Sequence, residues 1–343
     1  MNGNVPGWAG ILIIGLITAA ICTFGYKIVH IYEFWSWIPT TIIFFIIIGE
    51  FAKSDAFVNL PMGTGKAGMG AVLSFGATVF GFATGWTSYA ADYTVYHPSN
   101  TSKRKTFFWT WIGLIIPLLF TEILGLAVAT AANHSETDPN SYQIAYNSSG
   151  IGGLIGAVLF PPLGNFGKFC VIILALSIIA NNCPNLYSVS LTTQILGRWA
   201  MRIPRFLWTI VATAVYIAIA IPGYDHFESY LENFMNFIGY WLAIYQSIAF
   251  VEHFWFKRGF KGYNAADYDN PKALPPGIAA VAAFCVGVAG FVLGMSQVWF
   301  VGPIALTAGE APFGGDVGFE LGAAFASVSY FVFRTIELKV FGR

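Results

Sequence analysis

The chain has 343 residues, 17 basic and 17 acidic, with 56% hydrophobic and only 10% charged side chains. A soluble domain carries roughly 25% charged residues, so the composition excludes one and points to an integral membrane protein. Zero net charge by itself says nothing about partners; no nucleic-acid partner is expected, and the N-terminus has no basic region followed by a small-residue cleavage site.

Apolar runs near twenty residues long predict nine spans, near 8–25, 35–52, 67–92, 106–132, 169–196, 205–222, 229–251, 274–295 and 316–333. The run Ile151–Phe160, closed by Pro161-Pro162, is too short to cross and reads as re-entrant or interfacial. One set of alternating connections holds fourteen cations: Lys27, Lys103, Arg104, Lys105, Arg198, Arg202, Arg205, Lys257, Arg258, Lys261, Lys272 and the tail residues Arg334, Lys339 and Arg343. The other side holds three, Lys53, Lys66 and Lys168. The positive-inside rule makes the first set cytoplasmic, with the N-terminus outside and the C-terminus inside. The sequons at Asn133 and Asn147 then fall outside, and the one at Asn100 inside.

Several residues carry chemistry. Glu33 sits in a short link, Lys27–Trp35, as a surface or gating contact. The third span contains Gly76, Gly81, Gly85 and Trp86. Its glycines mark either a weak point that exposes backbone to a solute or close helix packing through Gly81-x-x-x-Gly85. Trp86 can stack on a planar heterocycle or sit as an interfacial indole. Asp92, beside Tyr89 and Tyr93, can pair with Lys103 or Arg104, join an inner gate, or end a helix in solvent. Glu122, after Pro117, lies deep in the fourth span, where an acid must be protonated or paired; a proton relay is one use for it. The fifth span carries a polar stripe, Ser177, Asn181, Asn185, Ser188 and Thr192, at steps of four, four, three and four. Such spacing places all five on one face, which must look into protein or a solvated cavity. Asn181 and Asn185 offer donor and acceptor together, and Pro184 frees the carbonyl of Ala180. A binding site is the favoured reading, with inter-helix polar glue as the rival. Asn233 and Asn236 are read as packing.

The four cysteines fall in apolar segments, and there is no H-E-x-x-H, no phosphate loop and no spaced Ser/His/Asp set. No cofactor, metal or enzymatic activity is expected.

The runs Gly81-Phe82-Ala83-Thr84-Gly85-Trp86-Thr87-Ser88-Tyr89-Ala90-Ala91-Asp92-Tyr93 and Ala180-Asn181-Asn182-Cys183-Pro184-Asn185 resemble the fungal purine–cytosine permeases of the nucleobase–cation symporter-1 family. The run Cys22–Pro39 looks like that family's fourth and fifth spans. The resemblance implies an all-α transporter fold of two inverted five-helix repeats within twelve spans, of which the nine here are the fourth to the twelfth. It therefore implies a single transporter domain over 1–343 that is N-terminally truncated, lacking spans one to three. It further implies a base stacked on Trp86, next to Gly85, and read by Asn181 and Asn185 with Pro184 between them. Glu33 matches a glutamate used in gating or transport, with Asp92 and Glu122 as further gating or coupling candidates. Sodium-coupled relatives place two hydroxyl residues where this chain has Ile179 and Ala180, which favours a proton as coupling ion. The implied function is proton-coupled uptake of purines and cytosine at the plasma membrane. The rivals are uracil, allantoin or thiamine as substrate, and a non-transporting remnant.

Overall fold

The computed structural model describes residues 6–88, 90–98, 100–133, 138–267, 270 and 272–342. Tyr89, His134 and Ser135 of one sequon, and Arg343 lie outside the described residues. In chain order the helices are α1 Gly7–Thr23, α2 Tyr26–Lys53, α3 Gly65–Thr84, α4 Ala90–Thr94, α5 Lys103–Thr130, α6 Ser141–Leu163 and α7 Asn165–Ile195. They continue as α8 Arg198–Met201, α9 Arg205–Gly223, α10 Phe227–Val251, α11 Ile278–Gly294, α12 Pro303–Thr307 and α13 Gly318–Phe341. A small antiparallel hairpin pairs β1, Ser296–Gln297, with β2, Phe300–Val301.

Among the described residues eight helices are long and apolar enough to cross a membrane, and α1 and α11 are shorter apolar helices of 17 residues. This is a multi-pass membrane protein. Its large apolar side chains point outward along α5, where Phe107, Trp109, Ile116 and Ile123 are exposed. Thr18, Thr209, Asp316 and Arg334 are shut inside. Hydrocarbon solvates the first set, whereas polar groups must find partners within the protein.

Three expectations are corrected. The run Ile151–Phe160 does not stand alone: α6 begins at Ser141, where the Asn140 side chain accepts a hydrogen bond from the Gln143 N–H at 2.7 Å. This cap starts a helix through polar residues that an apolar count passes over. The helix breaks at Ser149–Gly150, with Gly150 at φ 56°, and runs through Pro161 and Pro162 to Leu163. Glu33 is not in a link, because α2 starts at Tyr26 and only Phe24 and Gly25 separate it from α1. Gly25 takes φ 89°, which lets the chain reverse in two residues. Arg334 does not belong to a solvated tail; it lies on α13 and is 2% exposed.

The chain forms two compact units. The first comprises Met1–Pro61 and Ala91–Asp225. In it α7 packs against α1, α2, α6 and α9. One core joins Ile43, Ile47 and Phe51 of α2 to Leu154 and Leu159 of α6 and Cys170 of α7. A second joins Cys22 of α1 and Val29 of α2 to Ile179, Cys183 and Leu186 of α7. All four cysteines are free. At 31 residues and a 1.5 Å rise, α7 is about 46 Å long, so its ends extend beyond the hydrocarbon.

The second unit comprises Met62–Ala90 and His226–Arg343. Here α13 packs on α10 and α11, and α3 on α10. A β-carbon at Gly290 would fall 2.7 Å from the Leu321 carbonyl oxygen, so α11 meets α13 backbone to backbone. Asp316, fully buried, ties the hairpin to α10 and α13. It accepts hydrogen bonds from the Tyr240 hydroxyl, the Ser296 N–H at 2.8 Å, the Gln297 amide at 3.2 Å and the Gly318 N–H at 2.9 Å.

Candidate functional site

The glycines of α3 divide between the two readings open for them. A β-carbon at Gly81 would meet the Met235 carbonyl oxygen at 1.9 Å, so Gly81 is the point where α3 touches α10. Gly85 has nothing within 4 Å of that position. It is instead where α3 ends and a 3₁₀ turn, Gly85–Ser88, takes over before α4. The expected continuous span over 67–92 is thus interrupted, and the half-buried Trp86 sits on the interruption. Gln246 of α10 fastens both sides of it, donating to the hydroxyls of Thr84 and, at 3.0 Å, Thr87. A turn that has left α-helical geometry loses i→i−4 hydrogen bonds, and a side-chain amide replaces part of what was lost. Lower on the same pair of helices, Thr78 donates to the buried Asn236 at 3.0 Å, as the packing reading of Asn236 requires.

In the first unit, the α7 stripe is uneven. Asn181, Asn185 and Thr192 are exposed, Ser177 is half-buried, and Ser188 is buried with a hydroxyl that meets no hydrogen-bond partner among the described residues. Pro184 is buried between the two amides. The Asn185 amide donates at 3.0 Å to the Asn181 carbonyl, one residue beyond the acceptor that Pro184 frees. Backbone and side-chain amides therefore lie together over one turn of helix. Ser177 also lines a cavity of about 430 Å³ with Tyr32, Trp35, Ser36 and Thr40 of α2.

Glu33 accepts a hydrogen bond from the Tyr93 hydroxyl at 2.9 Å. Tyr93 follows Asp92 on α4; Asp92 itself is half-buried. Two residues after α4, the Tyr96 hydroxyl meets the Tyr187 hydroxyl of α7 at 3.0 Å. The Arg205 guanidinium lies 4.8 Å from the centre of the Tyr187 ring and donates to the Cys22 carbonyl at 3.3 Å. So the segment after Trp86 is held to α2 and α7 by two tyrosines. Glu122 is half-buried on α5.

Gln246, Tyr96 and Tyr187 were not singled out from sequence, and Tyr93 was noted only as a neighbour of Asp92. Their partners are 60, 91 and 159 residues away, and no local spacing reports such pairs.

Comparison with known proteins agrees with this architecture. A family described as permease for cytosine/purines, uracil, thiamine and allantoin matches residues 1–305. The purine-cytosine permease fcyB of Emericella nidulans is 62% identical over 343 residues, covering 100% of this chain and 66% of that protein. The purine-cytosine permease FCY2 of Saccharomyces cerevisiae is 47% identical, covering 100% of this chain and 63% of that protein. The vitamin B6 transporter TPN1 of Saccharomyces cerevisiae is 31% identical, with 100% and 66% covered. The chain thus spans less than two thirds of the length of these relatives. No solved structure matches.

Proposed function

This chain belongs to the family of permeases for cytosine/purines, uracil, thiamine and allantoin, and on that premise we propose that it carries purine bases and cytosine across the plasma membrane. The observation that carries the proposal is the interrupted third span. Gly85 ends α3 one residue before Trp86, and Gln246 holds the break in a chain 62% identical to a purine-cytosine permease. A broken helix in a membrane presents backbone groups and one aromatic face to a solute. The second contribution is the amide turn of α7, whose exposed Asn181 and Asn185 supply donors and acceptors suited to a base edge.

In this reading the base stacks on Trp86 beside Gly85. Asn181 and Asn185 read its edge, with Pro184 between them freeing the Ala180 carbonyl as a further acceptor. Transport follows alternating access in a fold of two inverted five-helix repeats, and the spans here correspond to the family's fourth to twelfth. A proton is the coupling ion: Ile179 and Ala180 bring no side-chain oxygen to hold sodium. Glu33, Asp92 and Glu122 are the acids available for gating or coupling, and the C-terminus is cytoplasmic.

The test is uptake of radiolabelled cytosine by this chain and by a full-length purine-cytosine permease carrying the matching substitutions. Trp86→Ala is expected to weaken apparent affinity about fivefold to 150-fold, since stacking on an aromatic is worth roughly 1–3 kcal/mol per base. Asn185→Ala should lower uptake comparably. Near-normal kinetics in either variant rejects the assigned roles, and uptake that follows a sodium gradient while ignoring pH rejects proton coupling.

The 31% identity to a vitamin B6 transporter supports a second reading, in which the same scaffold takes a different planar heterocycle such as uracil, allantoin or thiamine. Competition of cytosine uptake by a panel of these compounds separates the two.

A further inference from the structure

Where α10 ends, the chain builds a compact basic turn. The helix passes into a π turn, Glu252–Phe256, in which the Lys257 N–H bonds the Glu252 carbonyl at 2.8 Å. Arg258 and Gly259 then take φ 50° and 97°, folding the backbone so that the Gly259 N–H reaches the His253 carbonyl at 2.8 Å. A 3₁₀ turn, Phe260–Gly262, follows. A β-carbon at Gly262 would lie 2.1 Å from the Lys257 carbonyl oxygen, so the turn closes only because that residue has no side chain. The His253 ring packs edge-on against Phe260 at 4.8 Å, and its Nδ1 lies 3.3 Å from the Tyr263 hydroxyl. Lys257, Arg258 and Lys261 are thereby presented together by a fixed backbone.

The acid of this segment is already engaged. Glu252 accepts from the Tyr330 hydroxyl at 3.0 Å and from Arg334 at 3.3 Å, and the next acid along the chain is Asp267. Around the cations stand aromatic side chains that face outward: Phe254, Trp255 and Phe260 are each more than 60% exposed. Trp255 is held edge-on to Phe331 of α13 at 5.2 Å. Exposed aromatic rings at the end of a membrane helix belong at the level of the lipid headgroups, and basic residues just beyond them meet anionic lipid.

We propose that the turn Glu252–Tyr263 is a docking site for the anionic headgroups of bilayer phospholipids, with Trp255, Phe254 and Phe260 seated at the interface and Lys257, Arg258 and Lys261 on the headgroup charge. Charge complementarity selects this occupant: three cations within five residues of chain, with the Glu252 carboxylate beside them already engaged, next to an apolar rim at a membrane surface. The inference is independent of the solute carried.

The test uses the full chain in nanodiscs of phosphatidylserine and phosphatidylcholine in equal amounts, with bromine on the acyl chains of one lipid or the other. The Trp255 signal is the fluorescence difference between the chain and its Trp255→Phe variant. Brominated phosphatidylserine is expected to quench it more strongly than brominated phosphatidylcholine, and molar salt should abolish the preference. Each of Lys257→Gln, Arg258→Gln and Lys261→Gln should reduce the preference roughly fivefold or less, whereas Lys103→Gln should leave it unchanged. Equal quenching by the two lipids in the unaltered chain overturns the proposal. So does a preference that survives high salt or removal of the three cations, and the salt arm needs no variant to fold.

Discussion

The Tyr93 hydroxyl donates to the Glu33 carboxylate at 2.9 Å, joining the short helix after Trp86 to the second helix of the chain. Glu33 is half-buried, so this bond supplies part of what its carboxylate lost by leaving water. Replacing Tyr93 by Phe removes the donor and keeps the ring. In a transport-competent full-length counterpart, the expected result is a severalfold fall in maximal uptake at unchanged surface abundance. Glu33→Gln keeps an acceptor for Tyr93 but discards the charge, and Glu33→Ala discards both. A pH profile of uptake in the three variants separates the hydrogen bond from the charge; identical profiles in all three and the parent would remove Glu33 from gating.

Gly81 allows α3 and α10 to touch, since a β-carbon there would collide with the Met235 carbonyl oxygen. Gly81→Ala must push the helices apart, at a cost of about 1–3 kcal/mol for overpacking. Gly85→Ala meets no such obstacle and should cost far less. Thermal unfolding of the detergent-solubilised protein, followed by fluorescence, should show a loss of several degrees for the first and little for the second. Equal losses would contradict the contact.

Gln246 bonds to Thr84 and Thr87 across the break in the third span. Each such bond contributes about 0.5–1.5 kcal/mol net. Gln246→Ala is expected to lower the melting temperature modestly while raising the accessibility of a cysteine placed at Thr87 to a soluble maleimide. Unchanged labelling would show that the turn is held by other contacts.

Asp316 accepts four hydrogen bonds at a site with no solvent exposure. Asp316→Ala strands the donors and should cost about 3–5 kcal/mol or prevent accumulation of folded protein, because each unpaired buried group costs about 1–3 kcal/mol. Asp316→Asn turns an NH₂ group toward donors and should also destabilise, though less. Protection of the hairpin Ser296–Val301 in hydrogen exchange is the most direct measurement.

Arg334 sits between Glu252 at 3.3 Å and Glu337 at 2.8 Å, and Glu337 also accepts from the Ala279 N–H at the start of α11 at 3.1 Å. Arg334→Met leaves two carboxylates without their cation and is expected to cost about 3–5 kcal/mol. Adding Glu252→Gln to that variant should recover part of the loss. Failure to recover any would mean that packing, and not charge balance, dominates there.

The membrane class, most of the helices, and the residues that bear the family's signature were legible in the sequence, because hydrocarbon demands long apolar runs and makes every polar exception conspicuous. The amide stripe stood out on that ground, whereas the stacking role expected of Trp86 came from the resemblance to the permeases. Ends were less legible. The extension of α2 back to Tyr26 and of α6 back to Ser141 depends on a two-residue reversal at Gly25 and a cap at Asn140, neither of which changes apolar content. Only the tertiary structure decided which glycine packs and which breaks the helix, that Arg334 is an internal counter-charge, and that Glu33, Asn236 and Asp316 have partners far away in the chain. Such pairings arise where helices distant in sequence lie side by side, and periodicity within one helix holds no record of what stands opposite it.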